Sequence, residues 1–172
     1  MSKPAGKFTV TVRGKRDAAA QRVIMRGLHA YNDTKIGRWP FRNMAVLVRS
    51  PRGVVKGGLF GMIYWGWLFV NYFWLDEELR GMDWGTRCLA TAESEALRHG
   101  CHGVWLDTGS FQAPGFYRKQ GYKRFGFLQG HPPGAGHFWF FKRLKSKRPQ
   151  VAKFAKPSLA KARPKRKPAR RR

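Results

Sequence analysis

Apolar and polar residues alternate along Lys7–Val12, which predicts a short first strand. From residue 16 to residue 31 the rhythm changes. Ala18, Ala19, Ala20, Val23, Ile24 and Leu28 recur at helical spacing. Thr34–Asn43, with Trp39-Pro40 inside it, reads as a loop, and Met44–Arg49 as a strand closed by Ser50-Pro51-Arg52-Gly53. Val54–Tyr64 and Trp67–Leu75 are two aromatic, β-rich runs that form a hairpin turning at Gly66. A helix is predicted from about Trp84 to Arg98, with Leu89, Ala92, Ala96 and Leu97 at helical spacing and a stop near His99-Gly100. Gly103–Asp107 follows as a buried strand and Phe111–Lys119 as a short helix. Tyr122–Phe127 and His137–Leu144 are strands on either side of the turn-rich 130–136 segment. The order β-α-β-β-β-α-β-α-β-β predicts an α/β (α+β) fold, a mixed sheet with helices packed on it.

Charge divides the chain in two. The formal net charge is +26, and residues 145–172 hold 13 cations and no acid. That stretch also has Pro149, Pro157, Pro164 and Pro168 and few large apolar residues, so it reads as a disordered tail appended to a domain spanning 1–144. The domain keeps a positive excess of its own, because Asp17 and Asp33 are the only acids before Asp76. Attraction to polyanions is implied, but no fold. With 42% hydrophobic and 15% aromatic residues, the domain can bury a core.

Residues 57–75 carry no charge, a length close to the roughly 20 residues of a membrane helix. Gly57, Gly58, Gly61, Gly66 and Asn71 interrupt the run, so two buried strands are expected and no membrane span. The first residues lack the apolar run of a signal peptide. Cys88 and Cys101 form no disulfide framework and no metal motif, which fits a reducing, cytoplasmic setting. His29, His99, His102, His131 and His137 show no metal spacing, and no metal is expected.

The chemistry concentrates between the hairpin and the long helix, in Arg80-Gly81-Met82-Asp83-Trp84-Gly85-Thr86. Amides of a turn and of a first helical turn lack partners within the helix, and the helix dipole favours an anion there. Glycine lets the backbone approach the ligand, and Arg80 adds a cation that matches phosphate geometry. An ordinary strand–turn–helix with Asp83 as its N-cap would carry the same residues.

A second signature is Ala113-Pro114-Gly115-Phe116-Tyr117-Arg118-Lys119-Gln120-Gly121-Tyr122. It resembles the Phe-Tyr-x-x-x-Gly-Tyr element that closes the acetyl-CoA site of GNAT-family N-acetyltransferases. Arg80–Gly85 resembles the Arg/Gln-x-x-Gly-x-Gly/Ala pyrophosphate loop of the same family. The two stand in the family's order, and the element string fits over about residues 5–144. The resemblance implies a mostly antiparallel sheet with helices on both faces and one splayed parallel strand pair, the strands ending near Leu75 and Asp107. Acetyl-CoA is the implied co-substrate. Backbone groups of Phe73, Trp74 and Leu75 would pair with its pantetheine arm. Amides of Gly81, Met82, Asp83, Trp84, Gly85 and Thr86 would hold the pyrophosphate, with Arg80 at its edge. An amine would attack the thioester directly, and Tyr117 would protonate the departing thiolate. As a core aromatic paired with Phe116, Tyr117 would need no such role.

The attacking amine must be neutral, so the site needs a base. Asp76, Glu77 and Glu78 stand at the end of one strand and Asp107 at the end of the next. Glu77, directly or through water, is the candidate. Two positions depart from the family pattern. Asp83 replaces the loop's middle glycine, where its carboxylate is expected to bond back to an amide as helix N-cap. Ser110 stands where the family often has Asn and offers a hydroxyl to the cofactor.

Ala160–Arg172 resembles the tails of histone H1-like nucleoid proteins, whose chemistry is phosphate neutralisation without base reading. Two functions therefore stand open. One is an N-acetyltransferase acting on a small amine, a protein lysine or an N-terminus. The other is a nucleic-acid-binding protein on a GNAT scaffold that has lost turnover, tethered by residues 145–172 and associated with the nucleoid. A homodimer is common in the family.

Overall fold

A computed structural model describes residues 8–145. Residues 8–38 belong to one compact unit and residues 39–145 to another. The basic segment expected to be a disordered, nucleic-acid-binding tail lies, from residue 146 on, outside the described residues.

In the first unit, Phe8–Val12 forms no strand, which corrects the expectation for Lys7–Val12. Alternation makes a strand possible, but a ladder partner makes it stable, and this segment pairs with none of the described strands. Helix α1 (Ala18–Ile36) starts on Asp17, whose Oδ1 accepts the Ala20 amide at 2.9 Å. It runs past the predicted end at residue 31 because Asn32–Ile36 holds no breaker. It stops only at Gly37, whose φ of 75° the helix cannot continue.

The second unit is a six-stranded sheet in the order β1-β2-β3-β4-β6-β5. The strands are β1 (Arg42–Arg49), β2 (Val55–Tyr64), β3 (Trp67–Leu75), β4 (Gly103–Gly109), β5 (Lys123–Gln129) and β6 (Gly136–Arg143). All neighbours are antiparallel except β3 and β4. The uncharged 57–75 run is the β2–β3 hairpin. Among the described residues, no helix is long and apolar enough to cross a membrane. The predicted loop over Thr34–Asn43 is shorter, since β1 already begins at Arg42.

Helices α2 (Trp84–Arg98) and α3 (Pro114–Lys119) pack on one face of the sheet. Cys88, Leu89, Ala92 and Ala96 of α2 meet Val48, Leu59, Ile63, Leu68, Val70, Val104, Leu106 and Phe140 there, all buried. The small residues Ala92 and Ala96 let α2 lie close on the strands. Burying a large aliphatic side chain contributes roughly 1.5–3 kcal/mol, so this face dominates the unit's stability. The opposite face is aromatic, with Phe69 stacked on Trp105 at 3.9 Å and Trp67, Trp139 and Phe141 beside them.

Candidate functional site

The parallel ladder between β3 and β4 covers only Trp67–Val70 against Gly103–Leu106. It ends where β3 bulges. In the β2–β3 ladder Gly61 faces Val70 and Phe60 faces Tyr72, which leaves Asn71 without a counterpart. An extra residue bends its strand and sharpens its twist. Beyond the bulge β3 leaves β4, while β4 continues alongside β6 from Asp107 to Gly109. The gap between them is a cavity of about 760 Å³, with Asn71, Phe73, Leu75, Asp107, Thr108, Tyr117 and His137 on its wall. Phe73 and Trp74 pair with Leu59 and Gly58 of β2 but have no partner on the β4 side, so the backbone edge there is open to a ligand. The Leu75 carbonyl accepts the Arg80 Nε at 3.2 Å, which holds that cation beside the gap.

A second cavity of about 550 Å³ adjoins the first and reaches the start of α2. Gly81, with φ of 74°, turns the chain into it. Asp83 occupies the N-cap position of α2, but with φ of 63° and no side-chain cap hydrogen bond. This corrects the expectation that its carboxylate bonds back to an amide, because a left-handed N-cap residue does not aim its side chain along the helix start. The Arg87 amide bonds the Asp83 carbonyl at 3.0 Å, whereas the amides of Gly85 and Thr86 have no acceptor among the described residues. Uncapped N–H groups at a helix start, beside the Arg80 cation, make a cradle suited to an anion. Acidic Asp83 lies in the same cavity wall. A side chain at Gly85 would be tight: a Cβ there would stand 3.1 Å from Phe116 Cζ, and the ring would have to give way.

Tyr117 lines both cavities, as do Phe73, Leu75, Arg80 and Ala113. It is 8% exposed and packs against Phe116, Tyr122 and Phe140. Its hydroxyl has no hydrogen-bond partner among the described residues, and it is not sealed from the cavity. Burial, with the Asp107 charge adding to it, pushes its ionisation up to about 12. The group therefore stays a hydrogen-bond donor at any ordinary pH. Below it, the Tyr122 hydroxyl donates to Glu93 Oε1 at 3.0 Å, and Lys142 Nζ donates to the same carboxylate at 2.7 and 2.9 Å. This network ties the end of α3 to α2 and β6.

Four residues expected at the site lie outside both cavity walls. Ser110 is a tie between strand ends: its hydroxyl accepts the Gly136 amide at 3.1 Å. Gln112 takes the place beside it, accepting Gly109 N–H at 2.7 Å and the Thr108 hydroxyl at 3.0 Å from within the cavity wall. Met82 is exposed, and Trp84 stacks under Arg87 at 4.2 Å. Glu77 sits on an exposed 3₁₀ turn (Glu77–Leu79) away from either wall. Its neighbours Asp76 and Glu78 both bind Lys56, at 3.3 and 2.9 Å. The Lys56 hydrogen bond holds the Asp76 carboxyl below its usual range, which makes it a poor proton acceptor.

Two side chains outside the expected site residues meet in the larger cavity. His137 Nε2 lies 2.7 Å from Asp107 Oδ2. Thirty positions separate them in the chain, and only the β4–β6 ladder brings them together. Among the described residues, no cluster of three metal-ligating side chains is found.

Residues 26–122 match the acetyltransferase (GNAT) family. The chain is 40% identical over 96 residues to blasticidin-S acetyltransferase of Streptomyces morookaense, covering 55% of this chain and 71% of that one. It is 34% identical to an acetyltransferase of Agrobacterium fabrum, over 74% of this chain and 93% of that one. A crystal structure of a Bacillus cereus acetyltransferase superposes with a TM-score of 0.69 at 30% identity, over 78% and 98% of the two chains. With the splayed β3–β4 pair, the uncapped α2 terminus and Tyr117 between two cavities, these matches make the chain an acetyltransferase of the GNAT family.

Proposed function

We propose that this enzyme transfers the acetyl group of acetyl-CoA to the primary amine of a small molecule. The observation that carries the reading is the position of Tyr117, unbonded at its hydroxyl, where the gap between β3 and β4 meets the anion cradle of α2. A ligand with an extended arm and a pyrophosphate suits both halves. The open edge of Phe73–Trp74 takes the arm. The amides of Gly85 and Thr86, with Arg80, take the phosphates. A thiol ionises near 8.5, so a departing thiolate needs one strong donor rather than a strong acid. Tyr117 supplies it. The small-molecule acceptor is favoured by the antibiotic named for the Streptomyces relative and by the aromatic sheet face that flanks the cavity mouth.

Thermal shift of the full chain with acetyl-CoA, ADP and no ligand tests the first half. Ligand at about 100 times its dissociation constant stabilises by roughly 2.7 kcal/mol. A shift with acetyl-CoA that exceeds the shift with ADP is expected. Release of free thiol is then followed with blasticidin S, spermidine, tryptamine and a lysine peptide as acceptors. Turnover with a small amine is expected, and turnover confined to the peptide would overturn the acceptor class.

A further inference from the structure

His137 and Asp107 stand where an acceptor must arrive. The anion cradle and Tyr117 lie on the α2 face of the sheet. Along β4, Val104, Leu106 and Thr108 point to that face and are buried, so Asp107 points to the other. Along β6, buried Phe140 faces α2, and His137 with Trp139 faces away. The cavity between β3 and β4 joins the two faces, since Tyr117, Asp107 and His137 share its wall. A thioester entering from the α2 side would meet the Asp107–His137 pair across this cavity.

We propose that His137, held by Asp107, is the base that deprotonates the acceptor amine. This rests on the reading of the chain as an N-acetyltransferase with Tyr117 as proton donor. The Nε2–Oδ2 distance of 2.7 Å is that of a charge-assisted hydrogen bond. Asp107 fixes the tautomer in which Nε2 carries the proton, which leaves Nδ1 as the acceptor. The imidazole is half-enclosed, with its side chain 19% exposed, and one edge is held by the Trp139 ring at 5.0 Å. The other titratable or charged groups facing it are His131 in the β5–β6 connection, at 5.2 Å between rings, and Tyr117 and Arg80 across the cavity.

The proton ledger closes. The acceptor arrives as an ammonium, and Nδ1 takes one proton, later released to solvent. The freed nitrogen lone pair forms the C–N bond at the thioester carbonyl. The C–S bond breaks with its electron pair on sulfur, which takes the Tyr117 proton. The second proton of the new amide nitrogen returns to the Tyr117 oxygen. Nothing is oxidised or reduced, and no other reactant is needed.

The test compares wild type, His137→Gln, His137→Gly and Asp107→Asn in the full chain, with acetyl-CoA and the three small amines named above. All variants are expected to keep the acetyl-CoA thermal shift. His137→Gln should lower kcat/KM about 10²-fold or more and remove the acidic limb of the pH–rate profile, and added imidazole should restore activity to His137→Gly. Asp107→Asn should lower the rate less. By nitrogen NMR of the imidazoles, the wild type should show the Nε2–H tautomer at His137, and Asp107→Asn should lose that preference. An unchanged pH profile in His137→Gln, or an Nδ1–H tautomer in the wild type, would overturn the base. Absence of any transfer by the wild type would instead overturn the parent reading, and this one with it.

Discussion

Gly85 faces the Phe116 ring: a methyl group added at Gly85 would meet Phe116 Cζ at 3.1 Å and Cε2 at 3.2 Å. Helix α2 and the helix that carries Tyr117 are therefore spaced by the absence of a side chain. Gly85→Ala would gain about 1 kcal/mol of helix propensity, yet overpacking of a tight contact costs roughly 1–3 kcal/mol. The melting temperature should change little or fall slightly. Acetyl-CoA affinity should fall about tenfold or more, since Phe116 and Leu75 line the same cavity and must yield. Phe116→Leu placed on Gly85→Ala should recover part of the loss, measured by calorimetric titration of all four proteins.

Asp83 is a carboxylate in a left-handed conformation on the wall of an anion cradle. Both properties are unfavourable. A non-glycine residue there carries about 1 kcal/mol of backbone strain, and a negative charge near the helix start repels a phosphate. Asp83→Gly removes both. It is expected to tighten acetyl-CoA about three- to tenfold, from an interaction of roughly 0.5–1.5 kcal/mol, while stability moves by less than about 1 kcal/mol because glycine also frees the unfolded chain. Equal affinity of the two proteins for acetyl-CoA at low salt would show that the carboxylate points away from the ligand.

Local patterns made the central sheet legible in the sequence. The uncharged run split by Gly66, the alanine-rich α2 and the Gly-Tyr ending of α3 all stand where the residues put them. Failures came where a partner decides. Phe8–Val12 alternates like a strand without a ladder to join, and Asn71, one polar residue in an apolar strand, gave the only hint of the bulge that opens the site. His137 and Asp107 were invisible as a pair, because β6 returns beside β4 only after α3 and β5 have intervened. The tie from the Ser110 hydroxyl to the Gly136 amide was equally hidden, because that strand end comes 26 positions later in the chain.

Tyr117, the proposed proton donor, also bears on alkaline stability. Its raised ionisation, to about 12, means the folded chain holds a proton that the unfolded chain releases near the ordinary tyrosine value of about 10. Stability from this group is complete below pH about 10 and is lost as pH rises from there towards 12, by roughly 2–3 kcal/mol. Urea unfolding at pH 9 and pH 11 should show a larger decline in wild type than in Tyr117→Phe. Tyr122, also raised, mainly by burial and by Glu93, owes a smaller part of its shift to Tyr117, which adds to the same difference. The same variant should keep acetyl-CoA binding and lose about 10²-fold in kcat. Wild-type kcat should not decline through loss of the Tyr117 proton below pH about 11, and a basic limb that disappears in Tyr117→Phe at pH 8–9 would contradict the burial argument.

Glu93 holds the underside of the site. Its carboxylate accepts from Tyr122 Oη and twice from Lys142 Nζ, and its side chain is only 14% exposed. Glu93→Ala strands two donors at once: a tyrosine hydroxyl on a residue 3% exposed and an ammonium that loses its counter-ion. A loss of about 2–3 kcal/mol follows. Lys142→Met should cost less, because the ammonium is 30% exposed and Tyr122 keeps its acceptor. The double variant Glu93→Leu with Lys142→Met, which removes both charges, should be more stable than Glu93→Ala alone. Denaturant melts of the four proteins read this ranking directly. If Glu93→Ala proved as stable as wild type, the network would not anchor α3, and the position of Tyr117 would have to come from its aromatic contacts with Phe116 and Phe140 alone.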